Sequence, residues 1–401
     1  MKIKTFDKQI WLIIGIILVA FNLRPSITAV GPLIGSIRDE LAISNGMAGM
    51  LTTLPLLAFA VLSAIAPRIG LKIGNGLAIL IGIAVLALGI LIRSVEMLMT
   101  LFAGTALIGI GVAICNVLLP GIVKQKFPAK IGLLTGLYSI SMSGFAAIGS
   151  GVSFPLAQTF DSGWQGSLMI WALLSTLAFI AWLPHSKIEK SGINIPKIDI
   201  KNSPLFRSRL AWQVTIFMGM QSFMFYCLVA WLPEILQSRG MEPSTAGWML
   251  SWMQIVGLPS TFLTPILAGR MRSQRRIVLT IGFFYLIGLA GLQFGAGLPL
   301  LTVSTAIIGL AQGSSISLAL TLLSLRAASS AQAANLSGMA QSIGYFLAAI
   351  GPITIGFLFD LTGSWVLPIA IFASVVVAMI FAGVGAGKNE YVPEARRTES
   401  A

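Results

Sequence analysis

Thr105–Gly111 reads TALIGIG, and 200 residues later Thr305–Ala311 reads TAIIGLA. A second pair of words follows at nearly the same interval: Ala146–Ser150 is AAIGS and Ala348–Pro352 is AAIGP, 202 residues apart. At that offset Arg68 also corresponds to Arg270, and Lys124 to Arg326. Short words of small residues recur by chance in apolar helices, but a shared offset seldom does, so the chain reads as two related halves. Both halves are apolar. Hydrophobic residues make up 56% of the 401 and charged residues only 10%, against about 25% charged in soluble domains. No water-soluble core would hide that much apolar surface.

Turn residues and charges divide the chain into twelve apolar segments, each near the roughly 20 residues a helix needs to cross hydrocarbon. The first six fall at 10–33, 46–66, 76–93, 98–121, 131–156 and 164–184. The second six fall at 210–236, 243–268, 277–296, 298–323, 332–358 and 364–386. An even number per half inserts both halves in the same sense, and parallel repeats of this kind define the major facilitator architecture, with its substrate site near the midplane. The fold expected is an all-α membrane protein of twelve transmembrane helices in two pseudo-symmetric six-helix bundles. Residues 1–184 form the N-terminal bundle, 185–209 a cytoplasmic linker, and 210–401 the C-terminal bundle with a short cytoplasmic tail. Glycine pairs such as Gly132 with Gly136 and Gly351 with Gly356 are expected to leave flat surfaces where helices approach.

Orientation follows from the Lys and Arg residues of the loops. With the N-terminus in the cytoplasm, 22 of the 26 lie on the inner side, the outer loops receive Arg38, Arg93 and Arg239, and Arg24 is left within the membrane. This predicts a multi-pass protein of the bacterial cytoplasmic (inner) membrane with both termini cytoplasmic. The net charge of +13 is spread over many inner loops, which fits contact with anionic membrane lipid and not with nucleic acid. Glu234 and Asp360 fall at outer segment ends and read as solvated caps. The opening MKIKTFDK and its apolar run read as a retained first helix, since the run is long, holds Arg24 and lacks a small-residue cleavage site. Cys115 and Cys227 read as packing residues. No enzyme is expected: GVGAGKN at Gly383 lacks the spacing and the hydroxyl residue of a phosphate loop. The single histidine, His185, has no ligand cluster around it, so neither metal nor other cofactor is expected.

Function turns on Arg24, in FNLRPSITAVGPL (Phe21–Leu33). A cation at membrane depth costs at least about 2.5–3.5 kcal/mol, so it is expected to face water and a negatively charged or electron-rich ligand. Pro25 removes one backbone donor and frees a carbonyl in the preceding turn, which is tolerated where protein or water covers it. Phe21, Arg24 and Thr28 share one helical face, whereas Asn22 points away and reads also as a brace to a neighbouring helix. Two roles stay open for Arg24: binding substrate, or holding helix-end carbonyls and snorkelling to the outer interface.

At an offset of 201 or 202 the position matching Arg24 is Phe225 or Tyr226, with Gln221 one turn before Phe225. Trp231 in the same segment reads as part of an aromatic belt. Asn116, Tyr138, Gln312 and Gln341 are neutral hydrogen-bonding groups in apolar context, each an interhelical clamp or a cavity contact. The substrate-binding candidates are therefore Arg24, Asn22, Asn116, Tyr138, Gln221, Phe225, Tyr226, Gln312 and Gln341. The path is expected to be lined by helices 1, 4, 7 and 10, with 5 and 11 contributing. No intramembrane Asp, Glu or His offers an obvious proton relay, which favours uniport or co-transport of an anion with its own proton.

The segments NLRPSITAVGPL (Asn22–Leu33), NVLLPGIVKQKFP (Asn116–Pro128), TGLYSISM (Thr135–Met142), AWQVTIFMGMQSFMFYCLVAWLP (Ala211–Pro233) and LRAASSAQAANLSGMAQSIGYFLAAIGP (Leu325–Pro352) resemble the motifs of one family. Over essentially its whole length the chain is similar to the CynX/NimT group of bacterial major facilitator proteins, named for cyanate and 2-nitroimidazole transport. The resemblance implies an alternating-access transporter of a small anion or small polar nitrogen compound, and Arg24 suits either, forking toward an anion or a nitro oxygen. The loop PRIGLKIGN (Pro67–Asn75) keeps Arg68 and Lys72 but lacks the acidic residue usual in the superfamily. The expected partners are a small-molecule substrate and membrane lipid, around a monomer. The alternatives are a multidrug or nitroimidazole efflux pump, with a wide aromatic cavity in which Arg24 is dispensable, and a membrane sensor that binds without moving its ligand.

Overall fold

The computed structural model describes residues 2–187, 204–295 and 297–393; most of the expected linker, and the chain beyond residue 393, lie outside the described residues. No strand occurs among the described residues, and twelve helices are long and apolar enough to cross a membrane. These are α1 (Gln9–Leu41), α2 (Asn45–Ile73), α3 (Asn75–Arg93), α4 (Leu98–Lys126), α5 (Ile131–Thr159) and α6 (Gly163–His185). The second set is α7 (Arg209–Gln237), α8 (Pro243–Arg270), α9 (Arg275–Phe294), α10 (Leu298–Leu325), α11 (Ser330–Thr362) and α12 (Val366–Ala386). Local chemistry sets several of their ends. Ser44, Ser208 and Ser329 each accept a hydrogen bond from the backbone N–H three residues on, at the starts of α2, α7 and α11. Gly363, at φ 62°, ends α11 in the left-handed conformation that a side chain resists.

The end of the bundle that carries the start of α1 is called here the near end, and the opposite end the far end. Helices α2 and α11 pack against each other across the two halves, as do α5 and α8. Glycine makes the α2–α11 contact close: a Cβ on Gly49 would lie 2.7 Å from the Pro352 carbonyl carbon, and one on Gly356 would lie 2.6 Å from that of Asn45. Gly351 packs as closely on Phe223 of α7, so the second pair makes the expected close approach; Gly136 faces open space, and the surroundings of Gly132 lie outside what is described. Trp231 is no belt residue. It is fully buried, its indole N–H donates to the Pro352 carbonyl at 2.9 Å, and its ring lies 5.7 Å from that of Trp365.

The first crossing is not one helix. It runs as Lys2–Leu23, breaks at Arg24, resumes as Pro25–Thr28, passes through a tight turn at Gly31–Leu33 and continues as Ile34–Leu41. Pro25 and Pro32 have no N–H to give to the preceding turn, which is why the break falls here. Gly31 lets the turned backbone meet α7, since a Cβ there would collide with the Val229 carbonyl.

Beyond α12 the chain returns along the near end of the second half. Gly387 O accepts from Gln274 N (3.0 Å) and Ser273 Oγ (2.9 Å), and Val392 N donates to Arg326 O at 2.8 Å. Gln332 donates to Val392 O at 2.8 Å, and the buried Arg326 guanidinium reaches both Gln274 and Glu390 O. This segment therefore ties the α8–α9 loop to the ends of α10 and α11.

Far-end contacts join the halves. Arg38 of α1 donates through Nη1 to Glu234 Oε2 of α7 (3.0 Å) and to Asn45 Oδ1 (2.9 Å). Asp360 of α11 accepts from the N–H groups of Asn45 (3.0 Å) and Gly46 (2.8 Å), capping α2 from the other half. Glu234 is thus not a solvated cap: its side chain is only 12% exposed and serves as the partner of Arg38. Breaking one side of a mostly buried ion pair costs about 3–5 kcal/mol. In a Gln254→Cys background, with both native cysteines buried, Arg38→Glu is expected to speed thiol labelling from the far side by at least about 10-fold. Adding Glu234→Arg is expected to restore the slow rate.

Candidate functional site

The break in α1 sets the site. Carbonyls around the break find partners: Arg24 O accepts from the N–H groups of Ile27 and Thr28, both at 2.9 Å, and Asn22 O accepts from the Ser26 hydroxyl at 2.8 Å. Ser26 O accepts from Nη1 of Arg93 at 2.7 Å. Arg93, placed in an outer loop by the sequence reading, is 1% exposed at the end of α3 and turns inward to the break. Thr28 holds the far side of the break by donating to Ala146 O of α5 at 3.0 Å. With its backbone served locally, Arg24 sends its side chain between the halves.

There the guanidinium lies over the Phe225 ring, 5.1 Å from its centroid, within the range of a cation–π contact. Its Nη1 also reaches Ser143 Oγ at 3.5 Å. Both ion pairs found among the described residues belong to Arg38, so Arg24 has no carboxylate partner there. Phe21, one turn before Arg24, stacks on Phe145 at 3.8 Å and anchors that face of α1 to α5. Of the two positions that could match Arg24 by repeat, Phe225 and Tyr226, it is Phe225 that the guanidinium faces.

Together they wall a cavity of about 420 Å³ between the halves. Arg24, Asn116, Tyr138, Phe225, Tyr226 and Gln341 all line it. Helices α1, α4, α5, α7, α10 and α11 contribute as expected, and α2 joins them through Phe59 and Ser63. The lining from Ser63, Pro120, Thr135, Leu320 and Gly338 lies in the near-end half of each helix, so the cavity extends toward that end while the far end is latched. Tyr138 donates to Asn116 Oδ1 at 2.5 Å and Gln341 donates to Ser337 Oγ at 2.8 Å. Tyr226 lies edge-on to Phe225 (4.9 Å) and to Tyr345 (6.5 Å), which completes an aromatic wall.

A second, smaller cavity of about 120 Å³ lies against Arg24 and Phe225, lined by Gln254 of α8 and Gln312 of α10. Two expected site residues line neither cavity. Asn22 donates to Leu18 O (2.7 Å) and Leu174 O (3.3 Å) and accepts from Ser175 (2.9 Å), so it braces α1 to α6. Gln221 is buried and donates to Ser222 Oγ at 2.7 Å and to Met218 O at 3.1 Å. Tyr345, Phe59, Ser143 and Gln254 were not expected. Tyr345 carried a legible signal, one helical turn after Gln341 in an apolar segment; Gln254 and Ser143 carried none above their neighbours. No cluster of His, Cys, Asp or Glu suited to a metal occurs among the described residues.

Two bundles of six crossings around a central cavity are the architecture of a multi-pass membrane transporter. The family model of the Major Facilitator Superfamily matches residues 12–352. The chain is 52% identical over 391 residues to the uncharacterized transporter YycB of Bacillus subtilis (strain 168), covering 98% of this chain and 96% of that one. It is 37% identical over 385 residues to the 2-nitroimidazole transporter of Escherichia coli (strain K12), with 96% and 97% covered. To the cyanate transport protein CynX of the same organism it is 25% identical over 371 residues, with 92% and 95% covered. A crystal structure of the nucleoside transporter NupG shares the fold, at a TM-score of 0.78, 16% identity and coverage of 94% and 100%. The chain belongs to the Major Facilitator Superfamily, in its CynX/NimT-like family.

Removing Arg93 takes from Ser26 O its charged donor, a loss of about 1.5–3 kcal/mol that is partly offset because Nε and Nη2 of Arg93 are themselves buried without partners. Arg93→Met is expected to lower the thermal unfolding midpoint in detergent, whereas Arg93→Lys, which retains a donor of similar reach, is expected to recover part of it.

Proposed function

We propose that this protein moves a small anion or a small polar nitrogen compound across the membrane by alternating access, with Arg24 as the group that binds it. The observation that carries this reading is an uncompensated guanidinium between the two halves, laid over Phe225 at 5.1 Å and lining a cavity of about 420 Å³. Opposite unit charges at about 4 Å attract by about 4 kcal/mol at an effective dielectric near 20. The site therefore selects for anionic or electron-rich groups before desolvation is subtracted. Asn116, Tyr138, Phe225, Tyr226 and Gln341 form the rest of the main binding wall, and Gln312 the wall of the smaller cavity.

The names of two relatives, a 2-nitroimidazole transporter and a cyanate transport protein, describe ligands of this chemistry. The flat faces of Phe225, Tyr226 and Tyr345 favour a planar nitrogen compound of the first kind. An aromatic wall also suits an efflux pump for hydrophobic drugs, but such a pump has no use for Arg24. The distribution of Lys and Arg sets both termini in the cytoplasm, which makes the near end the inner one and the far-end latch the outer gate. The bundles 1–184 and 210–401 rock about the α2–α11 and α5–α8 junctions, joined by the linker at 185–209. Anionic lipid surrounds the inner loops of what is proposed to be a monomer.

Flux into liposomes of cyanate, nitrate, nitrite and 2-nitroimidazole tests the reading. Wild-type protein is expected to move at least one of them, and Arg24→Ala to weaken its binding by about 100-fold or more. Arg24→Lys is expected to lose most of that affinity as well, because the planar fork and its stacking on Phe225 are absent. Normal flux of every compound through Arg24→Ala refutes the site, and binding without flux in the wild type makes the protein a sensor.

A further inference from the structure

The smaller cavity holds an unanswered pair of hydrogen-bonding groups. Gln312 of α10 is 7% exposed, yet neither its Oε1 nor its Nε2 has a partner. Each unpaired amide group in a dry interior costs about 1–3 kcal/mol. The polar neighbours around it donate elsewhere: Gln254 to Ser150 Oγ at 2.9 Å, Thr261 to Gly257 O at 3.0 Å, and Ser317 to Thr261 O at 2.8 Å. Among the described residues, Gln312 alone leaves both a buried side-chain donor and a buried acceptor of one group open.

Its backbone cannot easily give way to relieve this. Gly309 and Gly313 flank Gln312 on the face of α10 that meets α8, where a Cβ on Gly257 would lie 2.7 Å from Gly309 O and one on Gly309 would lie 3.1 Å from the Met253 carbonyl carbon. The two helices touch backbone to backbone, so the cavity beside them is held open by rigid elements. Arg24 and Phe225 line both this cavity and the larger one. A ligand held by Arg24 and Phe225 therefore borders the smaller cavity, whose wall includes Gln312.

We propose that Gln312 is a specificity-determining residue, whose amide reads an acceptor and an adjacent N–H on the substrate while Arg24 holds the substrate's anionic or electron-rich end. The substrate class is then a small planar nitrogen compound with an N–H beside its acceptor group, such as an azole, and not a bare linear anion. This rests on the transport function proposed above and adds to it a residue, a hydrogen-bond pattern and a choice between ligand types.

The test uses full-length protein in liposomes with three probes: 2-nitroimidazole, its 1-methyl derivative, which lacks the ring N–H, and cyanate. Wild-type protein is expected to take 2-nitroimidazole with a KM about 10-fold or more below that of the methyl derivative. Gln312→Leu, which keeps the bulk and suits an apolar helix, is expected to raise the KM for 2-nitroimidazole by about 10-fold and bring the two nitroimidazoles level. Discrimination that survives in Gln312→Leu overturns the proposal. If it survives there but vanishes in Gln312→Ala, the selection is by space and not by hydrogen bonding, and the proposal fails in that case too. An equal fall for all three probes assigns Gln312 a structural role and also overturns it. Wild-type protein that moves none of the probes removes the transport reading itself, and this inference with it; ordinary flux with no preference for the N–H removes the inference alone.

Discussion

The interrupted hydrogen-bond ladder of the first crossing is the constraint on which the rest depends. A backbone break at membrane depth leaves polar groups that lipid cannot serve, so protein must serve them. Here a hydroxyl takes one carbonyl, two local N–H groups take another, and the guanidinium of Arg93 takes the third. One arginine is thereby committed to backbone repair. The other, Arg24, is released from it and projects into the space between the bundles.

The two halves supply different chemistry to that space. The first contributes the cation and a Tyr138–Asn116 pair; the second contributes the ring beneath the cation and the Gln312 and Gln341 amides. The two-bundle fold explains the geometry: α1 and α7 come from opposite bundles and meet at the central cavity, which sets Arg24 over Phe225. Closure at the far end and access from the near end belong to the same arrangement. At the α2–α11 contact glycines bring backbone against backbone, whereas the far-end ties are polar groups.

Much of this was legible in the sequence because hydrocarbon reads length and hydropathy directly. All twelve crossings, and the singular position of Arg24, follow from where charges interrupt apolar runs. What was missed depends on where long side chains turn. Arg93 ends an apolar segment and so looks like a loop cation, but its stem folds back and buries the charge. Glu234 likewise sits at a helix end, and only the bend of α1 brings Arg38 beside it. Trp231 has the composition of an interfacial residue, yet its indole finds a carbonyl on α11. Gln221 has the residue type of a binding site and lies one turn before Phe225, but its amide is taken up by Met218 O and Ser222, whereas Asn22 braces α6, as its place on the opposite face implied.

The segment from Gly387 to Val392, bonded to the α8–α9 loop and to the ends of α10 and α11, bears on how the molecule is built. A chain is made in order, and these residues leave the ribosome only after all twelve crossings have been synthesised. Until then the Gln274 N–H and the Arg326 carbonyl lack the partners the segment brings, and only the Arg326–Gln274 side-chain bond links that loop to α10. Biogenesis of this half is therefore completed from the rear: insertion comes first, and the clasp that rigidifies it closes last.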